Sequence, residues 1–194
     1  MIHISIEGMD GVGKSTTCKL LAKKLGYKFV EKPLHYLFDK EEDRFDEYLR
    51  IRNQVNANPN RDFTSWFYGL GSLFMYETFK EENIVTDRHL ASNYAWSGAD
   101  YNEDVYDLLV KKLGAPKLTV ILYSPSDVIV KRLISRDRND KDIVRAKQSE
   151  RIYERMIAFC KTYSFPYVVI DTSKLRPEEV VNKILEELKE PWQN

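Results

Sequence analysis

A chain of 194 residues, 43% hydrophobic and 31% charged, has the composition of one soluble globular domain with a full core, and is short for two. Thirty basic residues balance thirty acidic ones, so no global charge points to a nucleic-acid polymer or an anionic membrane, and any anion site must be local. No apolar run approaches the ~20 residues that span a bilayer.

Ile2 to Ile6 is a short β-branched run that reads as a first strand, so close to the start that no room is expected for a cleaved signal. Gly8-Met9-Asp10-Gly11-Val12-Gly13-Lys14-Ser15 follows and fits G-x-x-x-x-G-K-[ST], a loop whose amides cradle nucleotide phosphates. In that pattern Lys14 is the point charge for the β- and γ-phosphates, and the Ser15 hydroxyl is a Mg²⁺ ligand. Cys18, Leu21, Ala22 and Leu25 then recur at helical spacing up to Gly26, giving the strand–loop–helix context the loop requires. Cys18 and Cys160 both fall on apolar helix faces and are expected as buried thiols, which suits a reducing, cytoplasmic setting.

Lys28 to Val30 reads as a second strand ending at Glu31-Lys32-Pro33, with His35 in the loop beyond. Residues 39–56 are charged and read as helix, and Asn56 to Asn60 breaks it. An aromatic-rich helix is expected from about Asp62 to Glu82. Its Gly69 and Gly71 cost about 1 kcal/mol each relative to alanine, acceptable where something must approach closely. Ile84 to Thr86 forms a third strand, followed at once by Asp87-Arg88-His89. Val105, Leu108, Leu109 and Leu113 mark a helix stopped by Gly114 and Pro116. Leu118 to Tyr123, nearly all apolar, reads as a strand buried on both faces. Ser126-Asp127 starts the next helix, and the charged stretch Arg136 to Lys147 follows. A helix striped by Ile152, Met156, Phe159 and Cys160, a fifth strand at 167–170 and a last helix from about Pro177 complete the chain. The alternation implies an α/β fold, three layers with a five-stranded parallel sheet between helices.

In such sheets ligands gather at the carboxyl ends of strands. Three candidates leave those ends: the loop at 8–15, Glu31, and Asp87-Arg88. Asp87 is placed like an acid that holds Mg²⁺ directly or through water, although a surface ion pair with Arg88 is the bland alternative. Arg132, Arg136, Arg138 and Arg145 could deliver cations to a transferred phosphoryl group, or could line a solvated helix end.

Two stretches resemble a known family. Ile6-Glu7-Gly8-Met9-Asp10-Gly11-Val12-Gly13-Lys14-Ser15-Thr16 is similar to the F/I-E-G-x-D-G-x-G-K-[ST]-T opening of thymidylate kinases. Asp87 to Gly98 (DRHLASNYAWSG) is similar to their D-R-Y-x-x-S-x-x-A-Y-Q-G. The resemblance implies an ATP- and Mg²⁺-dependent kinase of nucleoside monophosphates with dTMP the leading acceptor, one domain over 1–194 with a lid at about 136–147, and a possible homodimer, the aromatic helix serving equally well as its interface or as core. By the same resemblance Gly8, Met9, Asp10, Gly11, Val12, Gly13, Lys14, Ser15, Thr16 and Arg132 lie on the ATP side, next to an adenine-side turn at Asp171-Thr172-Ser173. Ser15 and Asp87 organise the metal. Asp10, Glu31, Phe67, Arg88, Ser92 and Trp96 lie on the acceptor side, Asp10 facing the sugar hydroxyl and Arg88 the acceptor phosphate. Gly11 stands where some members carry an arginine, which leaves Arg136 or Arg138 of the lid to supply that cation.

The acceptor side departs from the family pattern. R-E-P-G-G-T becomes Glu31-Lys32-Pro33-Leu34-His35-Tyr36, Gly71 stands near the place of a base-contacting arginine, and Tyr-Gln becomes Trp96-Ser97. Two alternatives stay open: a deoxynucleoside kinase using Glu31 as base to deprotonate a 5′-hydroxyl, and a nucleotide-binding regulatory module without transfer.

Overall fold

The computed structural model describes residues 1–39, 41 and 44–189. Its centre is a five-stranded parallel sheet of β1 (His3–Gly8), β2 (Lys28–Glu31), β3 (Ile84–Asp87), β4 (Leu118–Tyr123) and β5 (Tyr167–Asp171), in the order β2-β3-β1-β4-β5. β1 is therefore the middle strand, and the loop that leaves it opens at the middle of the sheet's carboxyl edge. All six residues of β1 are buried, as are five of six in β4, which explains the continuous apolar runs.

Parallel strands need crossovers, and helices supply them on both faces. They are α1 (Lys14–Leu25), α2 (His35–Phe38), α3 (Asp46–Ala57), α4 (Arg61–Thr78), α5 (Leu90–Ser97), α6 (Glu103–Leu113), α7 (Ser126–Arg136), α8 (Asp142–Ala146), α9 (Ser149–Thr162) and α10 (Pro177–Glu187). α4 starts at Asn60, whose side chain accepts from the amides of Asp62 at 2.9 Å and Phe63 at 3.4 Å. The residue that breaks the preceding helix thus caps the next one. α4 ends at Thr78, short of the expected Glu82. His35, expected in a loop, begins the single turn of α2 and is buried. The helix expected over 39–56 begins only at Asp46, and positions 40, 42 and 43 of that stretch lie outside the described residues.

Close approach explains Gly69 of α4, whereas a Cβ at Gly71 would meet only ordinary contacts. A Cβ on Gly69 would stand 2.8 Å from the Leu109 Cδ1 atom of α6, and one on Gly71 would meet Leu34 and Pro33 at 3.4 and 3.5 Å. Both cysteines are free and buried, as expected. α5 lies between α4 and α9 with six of its eight residues buried. Ser65, Asn93, Asn102 and Tyr106 join it to α4 and α6 by hydrogen bonds of 2.9–3.2 Å. The Arg155 guanidinium of α9 donates to the carbonyls of Tyr94, Ala95 and Gly98, which closes the α5 terminus. This buried scaffold fixes the start of α5, and with it Arg88.

Candidate active site

The loop between β1 and α1 turns through left-handed conformations at Gly8, Gly11 and Gly13. Gly8 has no substitute: its φ is 140°, and a Cβ would lie 2.5 Å from the Leu122 carbonyl oxygen. At Gly11, whose φ is 85°, a Cβ would press to 3.1 Å on Leu133 of α7, so any side chain there is strained and needs Leu133 to give way. Such alternation lets backbone amides converge on an anion, and the start of α1 adds its positive end.

The charged side chains around the loop are already arranged. Lys14, 6% exposed, donates to the Met9 carbonyl at 2.8 Å and lies 3.4 Å from Asp10 Oδ1. Arg88, with φ 78°, donates from Nη1 to the Gly8 carbonyl at 2.8 Å and from Nη2 to Asp10 Oδ1 at 2.9 Å. Burial acts to raise the Asp10 carboxyl, but the charges of Arg88 and Lys14 reverse that and hold it well below the usual carboxylate range. Burial and the neighbouring Arg88 lower Lys14, with Asp10 and Asp87 acting against them. Burial also works against the Arg88 charge, yet Asp10, Asp87 and Glu7 raise it overall, so it stays a cation at any working pH.

Beneath this layer lies Glu7, 1% exposed, a residue that sequence reasoning quoted in its motif but assigned no role. Its carboxylate accepts from Ser5 Oγ at 2.6 Å, from the Ser92 amide at 3.2 Å and from the Ser92 hydroxyl. Arg88 Nη1 lies 3.3 Å from that same hydroxyl. Ser92 is thus buried and joins Glu7 to Arg88. The signal was an acid inside an otherwise apolar strand, which needs partners wherever it is buried.

Ser15 Oγ donates to Asp87 Oδ2 at 2.5 Å, bringing together the two side chains expected to organise Mg²⁺. Two hard oxygens of this kind fit an ion that keeps waters and takes its other ligands from phosphates. Among the described residues no cluster of three or more His, Cys, Asp or Glu side chains could hold a metal alone, so a triphosphate would bring the rest. Met9 and Val12 turn into the core, whereas Gly13 and Thr16 are exposed at the first turn of α1. On the far side, Arg132 donates to the Thr172 carbonyl at 2.6 Å, and the Thr172 hydroxyl donates to the Val12 carbonyl at 3.1 Å. The turn after β5 is thereby tied to the phosphate loop.

The charged stretch folds over the same edge. Arg136, at the end of α7, pairs with Asp140, and that hydrogen bond raises it, with the Asp10 charge adding. Arg138 is exposed in the following turn. Arg145 of α8 pairs with Asp142 at 3.2 Å and stands 5.8 Å from the centre of the half-buried Trp96 ring. The Asp142 carboxyl is raised by burial and by the charge of Asp10, which puts it within electrostatic reach of the loop.

Opposite stands an aromatic wall. Phe67 of α4 stacks with Tyr48 of α3, with centroids 6.4 Å apart and planes at 23°, and Tyr68 donates its hydroxyl to Asn56 at 2.8 Å. Glu31 is paired in register with Asp87 on the neighbouring strand and forms an ion pair with Lys32. Sequence reasoning missed Tyr48 and Arg52, which share a face of α3 one turn apart and carry no motif.

Comparison with known proteins decides the family. The sequence profile of "Thymidylate kinase" matches residues 6–184. The chain belongs to the thymidylate kinase family. It is a phosphotransferase of that family, a nucleotide kinase. It is 28% identical over 193 residues to a "Probable thymidylate kinase" of Methanocaldococcus jannaschii, covering 97% of this chain and 96% of that one. It is also 28% identical over 185 residues to a "Putative adenylate kinase" of Thermococcus gammatolerans, covering 94% and 83%. The solved structure of deoxyadenosine kinase from M. mycoides with dCMP and a flexible dCDP superposes with a TM-score of 0.63 at 21% identity, covering 96% of this chain and 98% of that one, and shows the shared fold. The thymidylate kinase profile spans the phosphate loop, Asp87-Arg88 and the arginine-rich stretch alike.

Proposed function

We propose that this nucleotide kinase transfers the γ-phosphoryl group of ATP to a nucleoside monophosphate, with dTMP the leading acceptor. The observation that carries the reading is the Arg88–Asp10 pair at 2.9 Å. It sets a permanent cation and a permanent carboxylate beside the phosphate loop, which supports the docking of an acceptor phosphate there. A monophosphate meets that cation with its own charge and needs no deprotonation, so positioning and electrostatics suffice. Lys14 and the loop amides hold the ATP phosphates, and Asp10 orients the acceptor sugar. Ser15 and Asp87 would hold Mg²⁺, which when bound neutralises charge on the β- and γ-phosphate oxygens. Residues 136–147 act as the lid of one kinase domain, with Arg136 or Arg138 meeting the transferred group, as Gly11 leaves the loop itself without an arginine.

Glu31 supports a second reading, a deoxynucleoside kinase. It lies at the carboxyl end of β2 beside Asp87, where a base for a 5′-hydroxyl could stand, although its carboxylate is engaged by Lys32. Assays of ATP with dTMP, other monophosphates and the parent nucleosides separate the readings. Turnover of nucleosides alone, abolished by Glu31→Gln, contradicts the first. ATP binding with no transfer to any acceptor would favour a regulatory module.

The exposed apolar stripe of α4, Phe63, Trp66, Leu70 and Leu73, supports a homodimer, tested by sedimentation of the Trp66→Glu variant. No described helix is long and apolar enough to cross a membrane. With two free buried thiols and balanced charge, we place the protein in the cytoplasm, acting on small nucleotides and not on nucleic-acid polymers or membranes.

A further inference from the structure

We infer that Arg52 is the residue that reads the acceptor base, and that it selects bases presenting a keto oxygen on their Watson–Crick edge. The inference deepens the proposed function and rests on it for the location of the acceptor.

Arg52 lies on α3 one turn after Tyr48 and one turn before Val55, the two residues of that helix that are buried. Its guanidinium is only partly satisfied inside the chain. Nη2 donates to the Asn53 side chain at 2.9 Å, whereas Nε is buried and has no partner. A buried N–H without an acceptor is costly, and in a native fold it calls for a partner from outside the chain, a water or a ligand.

The surroundings define that group. The Arg52 charge reaches the hydroxyls of both Tyr48 and Tyr68, which the Arg88 charge also reaches, so the cation stands on the acceptor side of the cleft. The neighbouring surfaces are rings: Tyr48 on Phe67, and Tyr68 edge-on to Phe67 at 5.2 Å. Flat walls suit a base, while the phosphate end already holds Lys14 and Arg88 around the loop carbonyls. Arginine carries donors only. It pairs with a carbonyl oxygen and opposes an exocyclic amino group, as in base recognition generally.

Position 71 is a glycine and supplies no side chain to α4 there, with Leu34 and Pro33 at ordinary contact distance, 3.4–3.5 Å, from where a Cβ would be.

The test is a binding measurement, independent of turnover. Dissociation constants are measured by calorimetry for dUMP against dCMP and for dIMP against dAMP, pairs that differ at the keto or amino position. Wild type, Arg52→Met and Arg52→Lys are compared, and each variant's ATP affinity, within about 3-fold of wild type, shows that it is folded. Wild type is expected to prefer the keto member of at least one pair by about 10-fold or more. Arg52→Met removes that preference, and Arg52→Lys retains part of it. No keto preference in wild type overturns the inference, as does a preference that survives in folded Arg52→Met, or an equal loss for all four ligands, which assigns Arg52 to phosphate or to packing. If the keto preference and its loss are found but nothing is phosphorylated, the base-reading role stands and the kinase reading falls.

Discussion

The two halves of the cleft are built in opposite ways. Around the phosphate loop, Lys14, Arg88, Asp10, Ser92 and Glu7 form one continuous set of hydrogen bonds resting on the central strand. Across from it, α3 and α4 offer stacked rings, an arginine with an unpartnered Nε, and two glycines at which neighbouring segments pack close. Preorganised charge costs no rearrangement when the reaction occurs, so the half that performs transfer is fixed in advance. On the proposed reading the other half only has to choose among similar bases, so it is free to vary, and its sequence is where the family pattern is least kept.

Lys14→Ala breaks the fixed half most deeply. Turnover is expected to fall by about 10²- to 10³-fold in kcat, the scale of losing one preorganised donor, while circular dichroism stays unchanged. Arg88→Ala comes next. Acceptor KM should rise by about 10- to 100-fold with ATP KM nearly unchanged, and a change confined to ATP KM would contradict its acceptor role.

Two buried histidines, His3 on β1 and His89 just after Arg88, give a pH effect. His3 is 3% exposed and His89 6%, and they meet edge to face at 4.8 Å, with Tyr76 against both rings and the Thr86 hydroxyl 2.9 Å from His3 Nε2. Burial lowers His3 well below its ordinary range, with the charge of His89 adding to this, and burial pushes His89 down to about 3. The unfolded chain takes up these protons near 6.5 and the folded one does not, so stability falls as pH drops below 6.5 toward 3. The slope is about 1.4 kcal/mol per pH unit for His89 alone. Denaturant midpoints between pH 7 and 5 check this, and His89→Asn should flatten the curve by that one proton.

The smallest effect probes the looser half. Gly71→Ala fits its neighbours at contact distance and removes a helix-interior glycine, so it is expected to gain up to about 1 kcal/mol in urea unfolding. Gly69→Ala, whose Cβ would crowd Leu109 at 2.8 Å, is expected to gain less or to lose.

The fixed half was largely legible in the sequence. Glycine spacing, Lys14-Ser15 and Asp87-Arg88 lie in short continuous motifs at strand ends, where local chemistry dictates geometry. The helix after Arg88 was not, because α5 is buried on nearly every side and shows no apolar stripe. Glu7 carried a legible oddity but no legible partner, since Ser92 is 85 positions away. Arg52 was invisible because nothing in a run of mixed charges marks which cation turns inward. The three-dimensional packing of α3 against α4 decides that.

Transfer from ATP to a nucleoside monophosphate is visible in ³¹P NMR of the purified protein with ATP, Mg²⁺ and dTMP. Matched loss of the ATP γ-signal and appearance of a nucleoside diphosphate are expected, absent in Lys14→Ala and present within about 3-fold of wild type in Glu31→Gln, since an ionised acceptor needs no base. Product formed only from unphosphorylated nucleosides, and lost in Glu31→Gln, would contradict transfer to a monophosphate.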